Sequence, residues 1–118
     1  MQLNKTQLVG NLTRDPELRY TPTGVPVAKV SLAVNETYGT SDDKKTATTF
    51  VEVEVWGKPA ENLDKLVRKG QELFVEGAIR QDTWQDKATG QNRSKLFVRA
   101  ESWQFTQHKV REPQSIEA

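Results

Sequence analysis

Cysteine is absent from the 118 residues, and histidine occurs once, at His108. Disulfides and thiolate metal sites are therefore excluded, and a Ser-His-Asp triad or an imidazole-based metal centre has almost no material to draw on. The lack of cysteine fits a reducing compartment. There is no run of about 18 apolar residues, the length a membrane-spanning helix needs. The N-terminal MQLNKTQLVGN has neither the basic start nor the apolar stretch of a secretory signal. These absences lead us to expect a soluble, cytoplasmic protein with no membrane segment, no metal and no other cofactor. An excess of one charge is missing too. Seventeen basic residues stand against 16 acidic ones, for a net charge of +1. Bulk electrostatics therefore single out no polyanionic partner, and any such partner must be argued from local geometry.

The length suits one domain. Five segments read as strands: 5–12, 27–35, 48–56, 72–84 and 94–105. In the second, Ala28, Val30, Leu32 and Val34 alternate with Lys29, Ser31 and Asn35. The third alternates more sharply, with Val51, Val53 and Val55 on one face and Phe50, Glu52, Glu54 and Trp56 on the other. One short helix follows it. Pro59 suits a first turn, Ala60, Leu63, Leu66 and Val67 form an apolar stripe, and Gly70 marks a stop. Lys65, Arg68 and Lys69 fall near its C-terminal end, where cations favour the helix dipole.

The stretch RDPELRYTPTGVP (14–26) reads as turn-rich. Two further segments, YGTSDDKKTAT (38–48) and DKATGQN (86–92), read as polar hairpin loops. The end of the chain, QHKVREPQSIEA, has no periodicity and reads as a flexible tail at 107–118, beyond a folded domain at 1–106. Three strands, a short helix and two strands give an all-β chain whose layout is that of a five-stranded OB-fold, a Greek-key barrel with a helix between strands three and four. An SH3-like barrel or a small sandwich stays open on strand composition alone.

Five collinear motifs carry a resemblance. They are LVGNLTRDPELRYTPTG (8–24), LAVNETY (32–38), TTFVEVEVWGKPAENL (48–63), KGQELFVEGAIRQDTW (69–84) and a closing strand from about Ser94. In this order and spacing the chain resembles the bacterial single-stranded DNA-binding proteins from about Asn4 to Phe105. The resemblance implies an OB-fold and a homotetramer, or a dimer, built by pairing through the first strand around Lys5 to Val9. It also implies sequence-tolerant binding of single-stranded DNA in replication, recombination and repair, close to the nucleoid.

A binder that ignores sequence needs flat π surfaces for the bases and scattered cations for the phosphates; stacking contributes about 1–3 kcal/mol per base and tolerates any base. The family's stacking positions fall on Tyr38, Phe50 and Trp84, and Trp56 matches a further family aromatic. An aromatic residue on a strand is more often core. Phe50 and Trp56, however, stand opposite an all-valine face, and both faces cannot be the interior, while Tyr38 and Trp84 border polar loops. Trp103 and Phe105 are assigned to packing or subunit contact. Basic candidates are Lys5, Arg14, Arg19, Lys58, Arg68, Lys69, Arg80 and Arg99, each of which alone reads equally well as a solvated charge. Lys5, Arg19, Lys58, Lys69 and Arg80 occupy positions commonly basic in the family and are favoured. Lys44 and Lys45 are offset by Asp42 and Asp43.

Three features depart from the family pattern. Glu52 and Asp82 place carboxylates where some relatives carry bases, which should repel phosphate and weaken the dependence of binding on salt. The sequence also ends at Ala118 without the linker and acidic tip through which relatives recruit replication and repair proteins. Two other classes compete with this reading. An enzyme would need Glu52 and Glu54, which share a strand face, to act as an acid–base pair in a cleft. Such alternation is usually a solvated face, so catalysis is not expected. A protein-binding OB module, such as a primosomal accessory protein, would use the same aromatic face for protein contact. A single-stranded RNA binder would work by the same mechanism.

Overall fold

The computed structural model describes residues 1–106, and the expected tail at 107–118 lies outside them. In chain order the elements are β1 (Thr6–Leu12), β2 (Glu17–Tyr20), β3 (Pro26–Thr40), β4 (Asp43–Trp56), α1 (Lys58–Leu66), β5 (Glu72–Gln85) and β6 (Asn92–Phe105). Five strands close a barrel in the order β1-β5-β6-β4-β3, which returns to β1, while β2 lies outside the ring on β3. All pairings are antiparallel except β4 with β6, which run parallel and pair through only Val53–Val55 and Val98–Ala100. The expected five-stranded OB barrel is therefore present, with its helix between the third and fourth barrel strands.

The interior follows from alternation. Val53 and Val55 on β4, Ala28, Val30 and Leu32 on β3, Leu73 and Val75 on β5, and Val98 and Ala100 on β6 are buried together. The helix closes the lower end of the barrel by adding Ala60, Leu63 and Val67 to this core. Leu66, expected on the same stripe, is instead 58% exposed. The helix has nine residues and ends because Val67 turns extended, at φ −113° and ψ 138°. That turn carries Val67 inward and leaves Leu66 on the flank. The stop is thus Val67 and not Gly70, which adopts φ +92° in the following turn. The Arg68 guanidinium donates to the carbonyls of Asp64 and Val67 at 2.6 and 2.8 Å, satisfying groups the helix end leaves open. Trp103 packs on the core and its indole N–H donates to the Pro59 carbonyl at 2.9 Å, with the Phe105 ring edge-on to it. Ser31, on the nominally polar face of β3, is buried, and its carbonyl accepts the Thr13 N–H.

Two segments differ from the sequence reading. The stretch 14–26 contains β2, a strand of four residues that pairs with Lys29 back to Pro26. The segment 38–48, expected as a loop, is a continuation of β3 and β4, paired from Asn35–Thr48 out to Thr40–Asp43, with only Ser41 and Asp42 left as the turn. Both faces of this arm are exposed, so it lacks the alternation by which a half-buried strand is recognised. Gly39 makes the turn possible: its φ is +101°, and a Cβ there would sit 2.3 Å from the Asp43 carbonyl oxygen. The segment at 86–91 is the expected loop, with Gly90 at φ +73°.

A bulge between β5 and β6 follows Glu76, where the register skips Glu101. Gly77 sits there with no room for a side chain, since a Cβ would meet the Arg99 carbonyl oxygen at 2.1 Å and the Ala100 Cα at 2.7 Å. Replacing Gly77 by alanine is expected to destabilise the domain by about 1–3 kcal/mol in urea denaturation, the usual cost of overpacking; an unchanged midpoint contradicts this. Near the bulge, Glu76 accepts hydrogen bonds from Gln7 and Lys5 of the β1 side, at 2.8 and 3.1 Å, and these hold its carboxyl below the ordinary carboxylate range. The small stabilisation from this exposed cluster is complete above that range and is lost as pH falls through the lowered Glu76 value. A side-chain NMR titration should find Glu76 low in the parent protein and shifted upward in Gln7→Ala.

Candidate nucleic-acid interface

The closed ring occupies only part of the strands. β4 and β6 separate beyond their three paired residues, so the β3–β4 and β5–β6 hairpins project as two arms with unshared edges. Phe50 stands on the outer face of β4, opposite Ala33 of β3, while the neighbouring Val51 points to the core side. Trp84 stands near the end of the second arm opposite Arg93, and with it lines a shallow hollow that includes Thr83 and Ser94. Tyr38 stands on the first arm opposite Lys45. The register from Val27 to Thr40 is unbroken, so Tyr38 has the parity of Val30 and Val34 and belongs to the other face of the hairpin from Phe50. Tyr38, Phe50 and Trp84 are 57%, 69% and 49% exposed. None of the three is part of the core.

Trp56 is different. It lies on the outer face but is half-buried, its indole N–H donates to Glu54 at 3.2 Å, and the guanidinium of Arg99 sits over its ring, 4.3 Å from the centroid. The register explains this contact. Arg99 pairs with Glu54 on one side and Ala78 on the other, which places it diagonally beside Trp56 and Arg80 on one surface. Trp56, Ala78, Arg80, Arg99 and Glu101 line a concavity of about 390 Å³ there.

The favoured cations divide into two groups. Lys5 is paired with Glu76, Lys58 with Glu61 at 3.9 Å, and Arg19 with Glu17, whose carboxyl the Arg19 hydrogen bonds hold below its ordinary range. Lys69 and Arg80 have no carboxylate within ion-pair distance among the described residues. Lys69 sits at the turn after the helix, its N–H bound to Asp15 at 2.8 Å. Arg80 lines the same concavity as Trp56. Glu52 is not an isolated carboxylate either: Arg14 approaches it at 3.4 Å and Lys95 at 4.0 Å, so its charge is largely compensated within the protein. Asp82 is exposed and stands opposite Lys95.

Arg99 was one basic candidate among several in the sequence. Its outward direction was legible from the alternation with Val98 and Ala100, but its place against Trp56 depends on a parallel pairing between strands more than 40 residues apart. Among the described residues no group of three or more histidine, cysteine, aspartate or glutamate residues could hold a metal ion, and no helix is long and apolar enough to cross a membrane.

Comparison with known proteins agrees with this architecture. The chain is 41% identical over 107 residues to the single-stranded DNA-binding protein of Wolinella succinogenes, covering 90% of this chain and 65% of that one. It is 47% identical over 98 residues to the protein of the same name from Thermus thermophilus, covering 83% of this chain and 35% of that one. A crystal structure of a deletion mutant of the single-stranded DNA binding protein from Thermus aquaticus superposes with a TM-score of 0.78 at 31% identity, over 92% of this chain and 53% of that one. The chain thus spans about one third to two thirds of the length of these relatives. Residues 3–106 match the model of the single-strand binding protein family, and with the barrel, its splayed arms and these relatives in agreement, the chain belongs to that family.

Proposed function

We propose that the chain binds single-stranded DNA without sequence preference, through base stacking on exposed aromatic rings and phosphate contacts from arginine and lysine. One observation carries the reading: Tyr38, Phe50 and Trp84 stand exposed outside the core, on or beside arms whose edges are unpaired. Large rings left in water on a small domain mark a binding surface, and a π-face is what every unpaired base shares. The names of the relatives point the same way. Trp56, Arg80 and Arg99 add a second, more polar station on the outer face of the barrel; Lys5, Arg19 and Lys58 are solvated cations that can exchange a carboxylate for a phosphate, and Lys69 is a solvated cation with no carboxylate to give up among the described residues.

A role in protecting exposed strands during replication, recombination and repair, in the cytoplasm at the nucleoid, follows from this reading. So does a non-catalytic action. A homo-oligomer, tetramer or dimer, is supported by the β1 edge, which pairs with β3 only at Asn11 and Leu12 and leaves Thr6–Gly10 open to a second copy.

Titration with oligo-dT should quench the intrinsic tryptophan fluorescence, and Phe50→Ala should weaken binding about 5- to 150-fold, the equivalent of one stacked base. Unquenched fluorescence together with an unaltered affinity would overturn the reading in favour of a protein-binding face. Glu52→Gln releases Arg14 and Lys95 from their shared carboxylate. It is expected to tighten binding at low salt and to steepen the slope of log K against log salt, by about 0.7 for each additional phosphate neutralised. An unchanged slope would show that those two cations do not meet the strand.

A further inference from the structure

The geometry points to a division of labour in which Trp56 does not stack on a base but holds Arg99, and Arg99 with Arg80 forms a seat for a backbone phosphodiester. This rests on the proposed single-stranded DNA binding and assigns a phosphate station on the outer face of the barrel.

Four observations support it. First, one face of the Trp56 indole is occupied by the Arg99 guanidinium at 4.3 Å. A base could take that face only by displacing a cation–π contact that itself contributes about 0.5–1 kcal/mol or more. Second, the indole N–H is engaged with Glu54, so the ring is fixed at its edge as well as its face. Third, no carboxylate among the described residues lies within ion-pair distance of Arg99 or Arg80. Glu54, the direct neighbour of Arg99, is occupied by the Trp56 N–H and by Lys29 at 3.9 Å. A guanidinium stacked on a ring keeps its in-plane N–H donors, which match a phosphate's oxygens in a fork. Fourth, the two arginines line one concavity with the small Ala78, which stands opposite Arg99, while the buried Phe97 stands opposite Arg80. Glu101 at the rim leaves two cations against one anion. Stacking fixes the orientation of Arg99 before any strand arrives, so less side-chain freedom is lost on contact.

Trp56 is thus a positioning residue for Arg99, and the two readings of it separate in the salt dependence. Arg99→Ala should lower the slope of log K against log salt for oligo-dT by about 0.7, one phosphate contact on a single strand. Trp56→Leu, which removes no charge, should lower the slope by a similar amount, Trp56→Phe should restore it, and the double variant Trp56→Leu/Arg99→Ala should lose no more than Arg99→Ala alone. Were Trp56 a stacking platform, Trp56→Leu would weaken binding equally at every salt concentration and its effect would add to that of Arg99→Ala; that result overturns the proposal. A second probe works without bases. An abasic oligodeoxyribonucleotide should shift the Arg99 Nε–H NMR signal in the parent protein and leave it unmoved in Arg80→Ala. An Arg99 signal indifferent to the abasic strand refutes the seat, whereas failure of the parent protein to bind oligo-dT at all refutes the proposed function.

Discussion

Three rungs of parallel pairing, Val53–Val55 against Val98–Ala100, decide the shape of this molecule. Without them the two long hairpins would form an open sheet with its ends free. With them the ring closes around Val53, Val55, Val98 and Ala100, and the rest of the core fills in against these residues. Because the contact is so short, closure does not extend along the strands. The same constraint that makes a barrel at one end forces two separate ribbons at the other. It also fixes which outward side chains become neighbours, and so brings an arginine of one hairpin over a tryptophan of the other.

Glycine is used where backbones must come close. Gly10 lies where β1 crosses from β5 to β3, and a Cβ there would stand 2.9 Å from the Ala33 carbonyl oxygen. Gly77 serves the bulge on the opposite side of the ring. A small barrel bends its strands sharply, and these positions allow the bend without forcing side chains out of their rotamers.

The barrel strands, the helix and the outward direction of Phe50 were legible in the sequence because each half-buried segment alternates, and because Pro59, Ala60 and Leu63 keep helical spacing. What escaped was of two kinds. The distal parts of β3 and β4 are exposed on both faces, so Tyr38–Thr40 and Asp43–Thr48 have a strand's backbone without a strand's hydrophobic pattern. β2 is so short that its turn-forming neighbours dominate the signal. The other kind is relational. That Glu52 is compensated by Arg14 and Lys95, that Tyr38 stands on the other side of its hairpin from Phe50, and that Arg99 covers Trp56 are all consequences of register, which no single segment contains.

The arms have a mechanical consequence. A ribbon of two strands with both faces in water has its hydrogen bonds as almost its only internal restraint, and such segments open and twist at far lower free energy than the core they extend from. Tyr38 and Trp84 therefore ride on compliant supports, while Trp56 is anchored to the stiff ring. For the proposed binding of a single strand, the two outer rings can then follow a chain of variable curvature while the Arg99 held by Trp56 keeps a fixed place on the ring.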